Sequence, residues 1–75
     1  MKNTPKLDDA YVPGQMYPTL YAPKGKRSVT FKPEPNGSYT VSEWKGKNMV
    51  GVAGLAGSVA QMKWSVLKQA GWIEQ

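Results

Sequence analysis

Ser28-Val29-Thr30-Phe31-Lys32-Pro33-Glu34-Pro35-Asn36-Gly37-Ser38-Tyr39-Thr40-Val41-Ser42 alternates polar and apolar residues on both sides of a turn signal. A period of two is the mark of a strand with one buried face. Proline at the second position and glycine at the fourth of Glu34-Pro35-Asn36-Gly37 fit a type I turn closed by a left-handed glycine. The stretch therefore predicts a β-hairpin. Its buried face carries Val29, Phe31, Tyr39 and Val41, and Thr30, Lys32, Thr40, Ser42 and Trp44 lie on the opposite one.

Downstream, Ser58 followed by Gln61 matches a capping box and predicts a helix from Val59. Val59, Met62, Val66, Leu67 and Ala70 recur at helical spacing and are the expected core face. Gly71 stands where a left-handed C-cap belongs, and Trp72 where a Schellman ending packs back onto Leu67. Trp64 flanks the stripe and is expected half-buried, with Lys68 near enough for a cation–π contact. Residues 49–56 carry Gly51 and Gly54, with Gly57 following at the same spacing, and fit either a short strand or a short helix. The helix is preferred, because Val52, Ala53, Leu55 and Ala56 can join the apolar stripe of the next one.

Upstream, Pro5, Pro13, Pro18 and Pro23 alternate with Tyr11, Tyr17 and Tyr21. Proline fixes φ and disfavours the helical region at the residue before it, so residues 1–23 read as an extended arm. Packing is expected from Met16 onward, with residues 1–10 loose. The predicted fold class is α+β: a small hairpin–helix domain over residues 24–75, with one β-hairpin on one C-terminal α-helix, preceded by that arm.

The chain has 75 residues, with neither cysteine nor histidine. The commonest general base, the commonest metal ligand and every disulfide are thereby excluded. Of the carboxylates, Asp8 and Asp9 lie in the arm and Glu34 in a turn, so no acid–base pair is evident. A non-enzymatic protein with no cofactor, metal or small-molecule substrate is expected. The first 25 residues lack a continuous apolar run, and Met49–Ala60 is too short to span a bilayer. A cytoplasmic location (a bacterial host's, if the chain is phage-encoded), no membrane partner and a monomeric state are the expectations.

Ten Lys and Arg against five acids give a net charge of +5. Lys24, Lys26 and Arg27 immediately precede the first hairpin strand, and Lys45 and Lys47 follow the second. Antiparallel pairing gathers these separated cations at the open end of the hairpin, beside Trp44. With Lys32 they form the candidate nucleic-acid and partner site, lysines and arginine meeting phosphates and Trp44 stacking on a base or sugar. The competing reading is a solvated charge cluster, balanced internally by Glu43 or by Asp8 and Asp9. Other uses of the chain are also open, among them a protein-only inhibitor or adaptor gripping its target through the Tyr11–Tyr21 arm. The glycine run matches no phosphate-loop motif.

Two resemblances bear on function. Ala53 and Gly57, four apart, with Leu67-Lys68-Gln69-Ala70-Gly71-Trp72-Ile73-Glu74, resemble a helix-turn-helix unit closing in a winged-helix recognition helix. That resemblance implies DNA binding with Gln61, Ser65 and Lys68 in the major groove. The chain departs from it at Lys63, where a β-branched apolar residue is usual. The layout as a whole, a tyrosine–proline tail, one hairpin and one capped helix, resembles small bacteriophage regulators that bind host RNA polymerase. It implies transcription regulation, as inhibition of initiation or as antitermination, and carries no individual residue.

Overall fold

The computed structural model describes Leu7 and residues 17–74. The strands β1 (Thr19–Tyr21), β2 (Arg27–Pro33), β3 (Tyr39–Lys45), β4 (Asn48–Leu55) and β5 (Ile73–Glu74) form one sheet, and the helix α1 (Gly57–Gln69) connects β4 to β5. The sheet order is β4-β3-β2-β1-β5, with every neighbouring pair antiparallel. The chain thus runs as a four-strand meander, crosses one face as α1, and returns at the far edge. The α+β class expected from the sequence holds.

The hairpin forms as its pattern requires. The Glu34 carbonyl accepts from the Gly37 N–H at 3.1 Å, and Gly37 takes a φ of 89°, a conformation that favours glycine. Asn36 Oδ1 accepts from the Ser38 N–H at 3.0 Å and from its hydroxyl at 2.6 Å, fixing the return. Phe31 pairs with Val41 in the resulting register, and Val29, Phe31, Tyr39 and Val41 are all buried.

The stretch 49–56, where the sequence favours a helix, is strand as far as Leu55, within β4, and Ala56 caps α1. Gly46 and Lys47 are the two residues between β3 and β4; Gly46 has a φ of 62° and no non-glycine residue among those described has a positive φ. Positive-then-negative is the II′ pattern, whose twist suits a hairpin. Each glycine in a helix there would cost about 1 kcal/mol relative to alanine. As a strand the same segment pairs its backbone with β3 from Lys45↔Asn48 to Tyr39↔Leu55, with an irregularity at Glu43 and Trp44.

The helix presents a different face from the one expected. Ala60 and Trp64 are fully buried, and Leu67 packs against the same core. Val59, Met62 and Val66, read as core residues, are 49%, 67% and 58% exposed, and Ala70 is exposed as well. Both sets recur at helical spacing, so periodicity alone cannot choose between them. Size and shape do: the small Ala60 admits close approach to the sheet. The Trp64 ring then sits edge-on to Phe31, at 5.3 Å between centroids and 79° between planes. Trp64 is therefore buried rather than half-buried, and Lys68 pairs with Glu74 at 3.1 Å.

At its start α1 begins at Gly57, with Ala56 as a cap lacking a side-chain bond, so the Ser58–Gln61 box does not form. Gln61 Oε1 accepts from the Leu7 N–H at 2.9 Å instead. At its end the Schellman geometry is as expected. Gly71 has a φ of 100°, Trp72 N–H donates to the Leu67 carbonyl at 3.0 Å, and Gly71 N–H donates to that of Lys68 at 3.1 Å.

The predicted boundary at residue 23 is not a break in the fold, because β1 lies ahead of it and pairs with β2 from Thr19↔Thr30 to Tyr21↔Ser28. Leu20 is fully buried, as is Leu7, which falls in the stretch expected to be loose. Tyr11, Met16 and the Asp8–Asp9 pair lie outside the described residues.

Gly57 supplies a test of this arrangement. A Cβ there would lie 2.8 Å from the carbonyl oxygen of Gly37, so the first turn of α1 rests on the hairpin turn. Alanine is the better helix former, yet Gly57→Ala is expected to destabilise the fold by about 1–3 kcal/mol, as overpacking does. A lower urea midpoint checks this; a raised one would show that the turn yields freely.

Candidate nucleic-acid interface

Two connections meet at one end of the sheet. The β1–β2 loop carries Lys24 and Lys26, and the β3–β4 turn carries Lys47. Gly46 N–H donates to the Lys26 carbonyl at 2.6 Å, tying the two together, and Arg27 pairs directly with Lys45 on the last rung. The hairpin thus gathers Lys24, Lys26, Arg27, Lys45 and Lys47, and each of them is exposed. None forms an ion pair with a carboxylate among the described residues.

Glu43, a possible internal countercharge, is directed elsewhere. It lies opposite Val29 on the helix-facing side of β3 and meets Lys63 of α1 at 3.7 Å. The only other ion pair among the described residues is that of Lys68 with Glu74. Glu34 is engaged at the opposite end of the hairpin, accepting from the Thr40 hydroxyl at 2.6 Å. Glu43 lies two residues from Lys45 on the same face of β3, yet neither it nor Glu34 nor Glu74 forms an ion pair with a cation of this end.

Trp44 stands on the rung next to Arg27 and Lys45, opposite Ser28. Strand alternation puts its side chain on the face away from α1, whereas Arg27 and Lys45 start on the other side of the pleat. Backbone proximity therefore does not place all the cations on the face of the indole. Both end-pair residues have long side chains beyond the last core layer, and the loop lysines have no strand alternation to obey. Lys32 does not join the cluster. It lies five residues along β2 from Arg27, roughly 16 Å away, with its ammonium 5.9 Å from the centre of the Tyr17 ring.

No family model, curated protein or solved structure matches this chain. The residues implied by the helix-turn-helix resemblance are otherwise engaged: Ala53 lies on β4, Gln61 bonds to Leu7 and faces Ser65, and Lys68 bonds to Glu74. No metal-holding cluster of acidic, histidine or cysteine side chains occurs among the described residues, nor is any helix there long and apolar enough to cross a membrane.

The structure adds residues that the sequence reading passed over. Tyr21 pairs with Ser28, and Ser28 with Trp44, so the two aromatic side chains share one row on the outer face. Alternation through Thr19-Leu20-Tyr21 was the available signal, obscured by the prolines on either side. Ile73 joins the same row through its pairing with Tyr21, and Met49 through its pairing with Trp44.

Proposed function

We propose that this chain is a non-enzymatic nucleic-acid-binding protein acting in transcription regulation, and that Lys24, Lys26, Arg27, Lys45 and Lys47 make its phosphate contacts. The observation that carries this reading is the convergence of five exposed cations, three on two linked connections and two on the strand ends beside them, with no ion-paired carboxylate among the described residues. Like charges held so close repel one another, and a polyanion relieves that repulsion while releasing its own counterions. The cluster offers no set of side chains suited to reading base edges, so binding is expected to be weakly sequence-specific.

The deciding measurement is the anisotropy of a labelled oligonucleotide titrated with wild-type protein and with a variant carrying glutamine at all five positions. Loss of binding in the variant, with its circular dichroism unchanged, supports the reading. Equal binding by the two proteins overturns it.

A second reading has its own observation. Val59, Met62 and Val66 form an exposed apolar stripe and, with Leu55, Lys63 and Leu67, line an open depression of about 400 Å³. Such a stripe suits a protein partner, and the layout resemblance makes RNA polymerase the candidate. Met62→Glu tests it: the side chain is exposed, so stability is expected to change by less than about 0.5 kcal/mol. Polymerase capture from a nuclease-treated bacterial lysate should be lost in this variant. Capture that is unaffected, or absent with the wild type, removes this reading and leaves the first intact.

A further inference from the structure

The outer face of the sheet, the one turned away from α1, has a composition unlike that of a merely solvated surface. Its row nearest the cationic end runs Ile73, Tyr21, Ser28, Trp44 and Met49 across all five strands. Tyr21, Ile73 and Met49 are exposed, and Trp44 is half-buried. The next row runs Thr19, Thr30, Ser42 and Val52, with the two threonine hydroxyls 3.3 Å apart. Beyond it come Lys32, beside Tyr17, and Thr40. On the strands of this face lysine is the only charged residue type, and no carboxylate lies on it before Glu34 at the hairpin turn. Glu43 and Glu74 lie on the helix side, each bonded to a lysine of α1. Glu43 and Glu74 thus lie beneath the sheet, and between the cationic end and Glu34 the open face carries aromatic, hydroxyl and apolar groups with Lys32.

The geometry points to this face as a platform for single-stranded nucleic acid, with bases stacking on Trp44 and Tyr21 and the backbone led to the lysines at the end. The inference rests on the nucleic-acid reading above and names its substrate class. Stacking on a side chain requires a base whose faces are free, and a duplex keeps its bases stacked inside and presents only phosphates and groove edges. Trp44 and Tyr21 lie two strands apart, about 10 Å, in one row on the same face, so two bases of the same strand can be held at once. The threonine and serine hydroxyls of the next row offer both donors and acceptors to sugar and base edges. Lys32 at the far side gives the strand a second cationic contact as it leaves the face.

The test compares a short oligothymidylate with a blunt duplex of equal length, at one low salt concentration. Wild-type protein is expected to bind the single strand at least about ten-fold more tightly. Trp44→Ala and Tyr21→Ala should each weaken it by roughly ten-fold, Trp44→Phe should keep most of the affinity, and the salt slope should stay as in the wild type. Ser42→Glu, which sets a carboxylate in the middle of the face without entering the core, should also abolish single-strand binding. Thermal melts establish that each variant is folded. If the duplex binds as tightly and the aromatic variants are unaffected, the platform is refuted while the charge-based reading survives. If neither nucleic acid binds, both are refuted.

Discussion

Trp64→Ala is expected to leave the protein largely unfolded at room temperature. Trp64 is the largest fully buried side chain, and its ring meets the edge or face of Phe31 at 5.3 Å between centroids. Removing so large a core aromatic costs about 3–5 kcal/mol, part of it transfer free energy and part the cavity left behind. A chain of this size has only a few kcal/mol in hand. Ala60, the other fully buried residue of α1, has only a methyl group and cannot extend into the space. Urea unfolding followed by circular dichroism should show little or no native baseline for this variant. Trp72→Ala, at a half-buried position against the same core, should fold with a lowered midpoint. Equal losses from the two substitutions would mean that α1 is not seated through Trp64.

Neutralising the cationic end should act on binding and not on folding. If five phosphates are contacted, the affinity for nucleic acid should fall with salt at a log–log slope of about −4 to −5. That corresponds to roughly a 500-fold loss between 50 and 200 mM salt. Replacing Lys24, Lys26, Arg27, Lys45 and Lys47 by glutamine should reduce the slope to about −1, since Lys63 and Lys68 are held by Glu43 and Glu74 and Lys32 is the one exposed cation left among the described residues. The variant should be at least as stable as the wild type, because mutual repulsion is relieved and no ion pair among the described residues is broken. A wild-type slope near zero would remove phosphates from the list of partners. Loss of folding in the variant would show that the cluster is balanced internally.

Where sequence and structure agree, the decisive interactions are local. Alternation through Val29–Phe31 and Tyr39–Val41, with Pro35, Asn36 and Gly37 between them, specifies a turn, a register and a buried face within fifteen residues. Gly71 and Trp72 specify a helix ending for the same reason: each hydrogen bond of that motif spans three to five residues. The meeting of Lys24, Lys26 and Arg27 with Lys45 and Lys47 was legible too, because it follows from hairpin register alone.

What the sequence left open depends on partners distant along the chain. Two apolar stripes run along α1, and only the position of Phe31 beneath it selects Ala60 and Trp64 over Val59, Met62 and Val66. The segment from Asn48 to Leu55 could close on itself as a helix until β3 offered its free edge to pair with. Thr19–Tyr21 looks like part of a proline-rich tail until β2 and the returning β5 flank it. The outer row that joins Tyr21, Trp44 and Ile73 exists only in the assembled sheet. By itself the sequence determined a small hairpin–helix chain with a cationic end, because turns and caps are encoded by neighbours. The tertiary structure decided which helix face is buried and which aromatic groups share the open surface, because those choices come from fitting remote side chains into one close-packed core.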